Sequence, residues 1–565
     1  MKLSKYYSYI LIIILVCFIS TIAAAQNIIK GKVIDAVSRQ PLEAASITIA
    51  GNNKEKEVTD EHGNFLFKTV QQQFTISVSH VGYKAGIATA DNNNTLIVEL
   101  QPDIVRLEDL KLQSGGNAKF SSHTKIDLAL NPVKNTQELL RLVPGLFIAQ
   151  HAGGGKAEQI FLRGFDCDHG TDVQVSVDGM PVNMVSHAHG QGYADAHFII
   201  PETINNIDFG AGPYYTQKGN LNTAGYVAFS TFKNISKSTV QLEAARFNSY
   251  RTLAMIDLLK KNKDKQSAYV ASEFYYTDGP TENKQNFNRF NLFGKYNAAL
   301  SDNTNLTFSA SAFKSKWYAS GQIPDRAVQS GLITRFGSLD PTEGGNTERY
   351  NANAVVAHQF NNGTSWQNQL FFNRYKFKLY SNFTFFLNDA VNGDGIVQAE
   401  DRNIFGFAST LKSKQFFKQW TLTSTDGIGL RYDATSNSQL AYQVKRQFLS
   451  NIMLGDVKEL NAYTFTQQQA TFGNWVIDAG VRFDYFHFNY LDKLNAAQMP
   501  AQGKSIISPK LNVQYSISKA VQLYAKGGKG FHSNDTRLVV ANNGKEILPA
   551  AYGTDFGVIL IPTKN

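Results

Sequence analysis

Over residues 475–485 the odd positions read Trp475, Ile477, Ala479, Val481, Phe483 and Tyr485, while the even ones include Asp478, Gly480, Arg482 and Asp484. Successive side chains of a strand point to opposite faces, so this segment has one apolar and one polar face along its whole length. Strands of soluble sandwiches alternate too, but seldom for so long. A strand of roughly ten residues with lipid on one side and a wet lumen on the other has to. The pattern recurs. Phe290, Leu292, Tyr296 and Ala298 alternate with Arg289, Asn291, Lys295 and Asn297, and Leu306, Phe308, Ala310 and Ala312 with Thr307, Ser309 and Ser311. Leu511, Val513, Tyr515 and Ile517 repeat it. Connections alternate as well, tight at 301–304, 361–364 and 518–520 and long at 314–345 and 381–402, like the two ends of a membrane barrel. The long apolar run lies at residues 9–22, so the rest of the chain cannot be a helical membrane protein. A closed sheet satisfies every backbone group inside lipid. Residues 234–565 are therefore expected to form a transmembrane β-barrel within an all-β protein.

Composition agrees with long strands. The chain has 39 Phe, 25 Tyr and 43 Gly against 14 Pro, a balance poor for helix bundles. Its formal charge of +9 comes from lysines and arginines scattered without a basic run or zinc-finger spacing, which argues against nucleic acid as a partner. Lys2 and Lys5 precede the apolar residues 10–19, and Ala23-Ala24-Ala25 precedes Gln26. These are the three parts of a secretory signal, assigned to residues 1–25. Cys17 follows Leu15 and Val16 rather than the small residue of a lipoprotein signal. Without the signal a single cysteine, Cys167, remains, so no internal disulfide is expected.

Residues 26–103 read as short strands at 29–35, 46–50, 64–68, 75–80 and 95–100. Among them stand Gly31, Asp35, Pro41-Leu42, Thr59-Asp60, Gly63-Asn64-Phe65 and Val81-Gly82-Tyr83. This order resembles the carboxypeptidase-regulatory-like domain, which implies a small seven-stranded, Ig-like β-sandwich without peptidase activity. His62 and His80 are not in an HExxH arrangement, as a zinc peptidase would need. Residues 104–122 hold the extended run Leu107, Glu108, Asp109, Leu110, Lys111, Leu112, Gln113 and then a polar, glycine-containing linker. Such a run is either a plain linker strand or a strand offered to a partner.

In residues 123–233, a short helix is expected within 135–150, with Thr136, Leu139, Leu140 and Val143 at helical spacing and Pro144-Gly145 ending it. Then come Ile160-Phe161-Leu162-Arg163-Gly164-Phe165, Val177-Asp178-Gly179-Met180-Pro181-Val182 and Gly225-Tyr226-Val227-Ala228-Phe229-Ser230-Thr231. In this order the motifs resemble the plug domain of TonB-dependent outer-membrane receptors. The resemblance implies an α+β plug closing the barrel, a place in outer-membrane lipid with the N-terminal domain in the periplasm, and the TonB–ExbB–ExbD complex as energy-transducing partner. Leu107 to Gln113 becomes the TonB-binding segment. The implied function is active import of a scarce nutrient, a metal or metal chelate such as a ferric siderophore, with no cofactor required. A surface receptor that binds protein or glycan without transport is the alternative. Plugged transporters use about 22 strands, whereas roughly fifteen segments fit after residue 238. The chain also stops at Pro562-Thr563-Lys564-Asn565 without the terminal aromatic residue usual in the family. C-terminal strands are thus expected to be missing, or else the barrel is smaller or differently paired.

Of 11 histidines, His151, His169, His187, His189 and His197 fall within residues 151–197, where an even spread would place one. His187 and His189 on an extended segment share a face. With His169, Asp168 and Cys167 they supply imidazole, carboxylate and thiolate donors suited to a transition metal. The other reading is hydrogen bonding in a wet lumen. Asp389, Asn392, Asp394 and Asp401 resemble a Ca2+ loop, although Ala390 stands at its first position; an acidic surface turn is the alternative. No Gly-x-Ser-x-Gly, HExxH or phosphate-cradling loop occurs, so no enzymatic activity is expected.

Overall fold

The computed structural model describes residues 27–561 apart from 37–38, 50–51, 70–72, 81–82, 84–85, 92–95, 101–121, 126–132, 134, 151–153, 260–264 and 519. The expected signal, the run from Leu107 to Gln113 and His151 lie outside the described residues. The chain divides into two compact units, one up to Gly115 and one from Gly116 onward.

The first unit is a sandwich of a three-stranded and a four-stranded sheet. Val33, Ile47, Phe65, Ile76, Val78 and Leu100 form its core. Five of its strands show in the sequence by alternation. The other two are Asn52–Val58, which is rich in charge, and Gly86–Asp91, which is built of small residues; both lack the apolar periodicity that marks a strand. Asp60 accepts the amides of His62 (2.9 Å) and Asn64 (2.8 Å), and the Tyr83 hydroxyl donates to Asp35 (2.5 Å). The spaced Asp and Tyr residues of the motif are thus turn and edge clamps.

In the second unit, fifteen strands between Thr239 and Leu560 form one antiparallel sheet. Fourteen follow in chain order, and the short Ala497–Gln498 pairs off the path with Trp475–Asp492. Among the described residues the edge strands Thr239–Ala245 and Ala550–Leu560 do not pair with each other. The alternation is inverted relative to a soluble protein: Phe483 is 41% and Tyr485 40% exposed, whereas Arg482 is 3% and Asp484 0% exposed. The concave face is covered by the plug, the convex face is left apolar, and only lipid can cover the latter at low cost. One end of the sheet has close turns, as between Ser301 and Thr304 and between Phe472 and Trp475. The other has the long connections after Tyr318, Ser381 and Phe531.

The plug core is built from Leu139, Leu140, Ile160, Val175, Val227 and Phe229 with their neighbours. A five-stranded sheet places Val173–Val177 parallel to Gly225–Thr231, and a three-stranded sheet lies beside it. The expected helix is shorter than the sequence suggests. Thr136–Leu142 is a single 3-10 segment capped by the Asn135 side chain, which accepts the Glu138 amide at 3.1 Å. Pro144 and Gly145 end it, and Leu146–Ala149 pairs as a strand with Gln159–Leu162, because Leu146 and Ile148 are buried in alternation with exposed Phe147.

Candidate functional site

The histidines converge at the end of the plug that faces the long connections. The loop carrying His169 and the loop carrying His187 and His189 cross with their backbones in contact. A side chain on Gly170 would meet Gly192 O at 2.8 Å, and one on Gly192 would meet the Thr171 Cα at 2.7 Å. With φ of 129° and 74°, both positions need glycine. Asn183 ties the crossing, donating to Gly170 O (3.0 Å), Val173 O (2.9 Å) and Gly192 O (3.1 Å) and accepting the Val175 amide (2.7 Å).

His187 is fully buried, stacked on Tyr193 at 4.3 Å and edge-on to Phe377. Its Nδ1 accepts the His189 amide at 3.1 Å, and its Nε2 faces the Tyr375 hydroxyl (3.3 Å) and Glu400 (3.9 Å). Burial, reinforced by Arg402, holds its pKa well below the ordinary imidazole value. In His189, Nδ1 lies 2.9 Å from Gln398 Oε1 and Nε2 lies 3.2 Å from His169 Nε2. Burial, with Lys156 and His169 adding, pushes His189 down to about 3. The Asp168 carboxylate is 3.6 Å from His169 Nε2 and more than half exposed.

Other members of the expected donor set stand apart. Cys167 is buried beneath Phe165 O (3.8 Å), and burial pushes its thiol up to about 12, which makes it a core residue rather than a thiolate ligand. His197 bonds Asp195 at 2.7 Å, and His187 has both ring nitrogens turned to protein groups. The expected five-residue site thus reduces to the His169–His189 pair with Asp168 beside it.

The calcium reading is corrected too. Asp394 accepts the amides of Leu387, Asn388 and Asp389, and Asp389 accepts those of Val391 and Asn392. Asp401 lies on the strand Ile396–Phe416 opposite Lys376 and pairs with Arg374 at 2.7 Å. Amide and guanidinium donors occupy the oxygens a Ca2+ ion would need. Among the described residues no three His, Cys, Asp or Glu side chains are gathered closely enough to hold a metal as they stand.

Around this site the wall holds the plug through arginines. Arg402, fully buried, donates to Val185 O (2.5 Å) and Ser186 O (3.2 Å) while paired with Glu400 (2.9 Å) and Asp433 (2.8 Å). Arg431 donates to Asn183 O (3.0 Å) while paired with Asp433. Arg482 donates to Gln217 O (3.1 Å) while paired with Asp484. In each case the carboxylate is two residues from its arginine on the same strand, and so on the same face. The connection after Phe531 reaches inward: Arg537 donates to His187 O (2.9 Å), Gln191 to Ser533 O (2.7 Å), and Ser186 Oγ to Thr536 Oγ1 (3.1 Å). Apart from Arg482 and Asp484, which show as the polar face of the 475–485 alternation, none of these wall and connection residues stands out in the sequence; the spacings Glu400-x-Arg402 and Arg431-x-Asp433 are the signal that could have found the others.

Residues 272–557 match the family described as TonB dependent receptor-like, beta-barrel, and residues 117–226 match the TonB-dependent receptor plug domain. The chain belongs to the TonB-dependent receptors. Residues 29–111 match the CarboxypepD_reg-like domain. The receptor shares its fold with the ferric citrate transporter FecA (15% identity, TM-score 0.68, covering 81% of this chain and 69% of that one). It also resembles the ferric-catecholate import receptor Fiu from E. coli K12 (12%, 0.59, 78% and 72%). The ferric yersiniabactin uptake receptor FyuA from Yersinia pestis is similar again (13%, 0.57, 74% and 65%). Its family consists of outer-membrane receptors rather than enzymes, and this chain spans about two thirds of the length of these three structures.

Proposed function

We propose that this receptor actively imports a metal or metal chelate across the outer membrane, with TonB–ExbB–ExbD pulling on the strand from Leu107 to Gln113 in the periplasm. The observation that carries the reading is how the plug is held. Several wall contacts at its outward end are hydrogen bonds from arginines to backbone carbonyls of the plug, and Arg402 and Arg431 among them are already neutralised by carboxylates of the wall. When the plug moves, those arginines keep their carboxylates and the carbonyls can turn to water, so no unpaired charge is left behind. Ion pairs also cross the interface: Lys295 with Asp178 (3.1 Å), Arg251 with Glu202 (2.7 Å), Arg163 with Asp555 (3.4 Å) and His532 with Asp172 (2.9 Å). The structurally related FecA, Fiu and FyuA are named for ferric cargo, which supports a metal-containing substrate. Deleting residues 107–113 is the test. Growth of the deletion strain on limiting iron, copper or zinc should fail while cargo binding to whole cells persists; unimpaired growth on every limiting metal would favour a receptor that does not transport.

A further inference from the structure

The lipid-facing wall carries a polar patch at mid-height. On the strand Trp420–Val444, Asp426 has the same parity as Ile428 and Leu430, which are 55% and 39% exposed, and the opposite parity to Asp433, which is buried against Arg402. Its side chain therefore points away from the plug. Along the strand it lies midway between Trp420, which stacks on Phe417 beside the close turn (4.1 Å), and Tyr432, whose cross-strand neighbour Phe405 is exposed. These aromatic levels mark the two edges of the apolar band: about twelve residues of strand tilted by about 40° rise roughly 30 Å, against about 25 Å for such a band. Asp426 thus sits near mid-depth in the hydrocarbon. Thr466 is its cross-strand neighbour and Gln468 stands opposite Ser424, so the four side chains share one face. Ser424 Oγ donates to Gln468 Oε1 at 2.5 Å, and Gln468 Nε2 donates to Thr466 Oγ1 at 3.1 Å. Among the described residues no donor reaches the Asp426 carboxyl, and neither the Thr466 hydroxyl hydrogen nor the second Gln468 amide hydrogen has an acceptor. Asp426 and Thr466 line a groove of about 450 Å³ whose other walls include Leu411, Ile428, Val481 and Phe483. The polar centre thus has an apolar rim.

A carboxyl without a hydrogen-bond partner at this depth is costly in either protonation state. Lipid cannot relieve it, because the tails have no donor and the head groups stop at the aromatic levels. We propose that this face is covered by a second copy of the chain, in an isologous pair whose two-fold axis runs along the membrane normal between the strands Trp420–Val444 and Gln447–Phe472. Asp426 and Thr466 are directly opposite across those strands, so the axis brings each carboxyl over Thr466 of the partner subunit, whose hydroxyl hydrogen is unspent. Gln468 of the partner subunit lies within a side chain's reach. Thr464, two residues from Thr466 on the same face, falls close to the axis in both copies because the strands are tilted. The patch is complementary to itself, carrying one unmet acceptor and the donors that meet it. A different protein presenting a cation would satisfy Asp426 but leave the hydrogens of Thr466 and Gln468 unused. The pairing is independent of what the receptor imports.

The test is disulfide cross-linking of the full chain in intact outer membranes, oxidised with copper phenanthroline. Thr464→Cys should give a covalent dimer of this chain. Leu370→Cys, exposed on another part of the wall, and Val558→Cys, exposed on the edge strand Ala550–Leu560, should stay monomeric. Native Cys167 is 1% exposed and takes no part. Adding Asp426→Leu to Thr464→Cys should lower the cross-linked fraction on the order of 10-fold, since the carboxyl contacts on both sides of the axis are lost. The unfolding midpoint of that variant should be unchanged or higher, because a polar group leaves the lipid-facing wall. No dimer from Thr464→Cys, or a product that contains a different protein in place of the second copy, would overturn the proposal. Cross-linking at Val558 and not at Thr464 would mean that copies meet through their sheet edges and would overturn it too. An undiminished dimer with Asp426→Leu would show that the patch does not hold the pair. If that variant does not fold, the contrast between Thr464→Cys and the two control positions decides.

Discussion

Arg402→Ala should lower the unfolding free energy by about 3–5 kcal/mol, because removing one partner of a buried ionic cluster strands the other. The guanidinium is wholly enclosed and touches two carboxylates and two plug carbonyls. The two carboxylates fare differently after its loss. Asp433 retains Arg431 at 2.6 Å, whereas Glu400 keeps the Ala188 amide at 2.8 Å and no guanidinium. Most of the penalty therefore falls on Glu400, and Arg402→Ala combined with Glu400→Gln should recover on the order of 1–2 kcal/mol through their coupling. Arg402→Lys should rescue little, since a point charge cannot reach all four acceptors that the planar fork reaches. Urea unfolding monitors stability, and protease cleavage within residues 183–200 monitors the seating of the plug. A single variant as stable as the parent, or a double variant whose loss is the simple sum, would show that the cluster does not hold the plug.

The barrel was legible because lipid imposes a period of two over many residues. The same rule that makes Phe483 and Tyr485 face outward makes Arg482 and Asp484 face the plug, so the sequence shows both faces at once. The plug was legible through turn and strand motifs whose order is informative even where each is short. What escaped was local competition. The helix within residues 135–150 was read correctly as ending at Pro144-Gly145, but the strand after it was not, because Leu146 and Ile148 become strand residues only through their partners in 159–162. Residues 388–401 read as a calcium loop because spacing does not say where an element begins; once the strand starts at Ile396, Asp401 is committed to its neighbours Arg374 and Lys376. The histidine cluster was visible as an excess in the sequence, but its division into a facing pair, a stacked His187 and a separate His197 depends on loop crossings set by Gly170, Gly192 and Asn183. Gln398, which orients His189, lies 209 residues away, beyond any local pattern.

Joining Ser186 to Thr536 through a disulfide should stop uptake without preventing cargo from binding. The two hydroxyl oxygens are 3.1 Å apart, so Ser186→Cys with Thr536→Cys needs an approach of about 1 Å to reach the bond length of a disulfide, a shift loop residues can absorb. Thr536 begins the short helix Thr536–Ala541, whose Val539 and Val540 pack against Phe486, Phe488 and Phe531; the link therefore ties the plug apex to the wall itself. Native Cys167 will not interfere, because it is 1% exposed and its thiol is held near 12, leaving almost no thiolate to exchange at neutral pH. Uptake of radiolabelled metal by cells carrying the oxidised pair should fall to the level of the 107–113 deletion and return on adding a reductant, with each single variant active throughout. The expected size follows from the packing: the apex is bound to the wall at Val185, Ser186 and His187 by bonds that exchange readily with water, and a covalent link replaces this exchangeable set with one that cannot open. Full uptake in the oxidised state would mean that cargo passes while the apex stays fixed to the wall, and displacement of the plug at Ser186 would no longer be part of the mechanism.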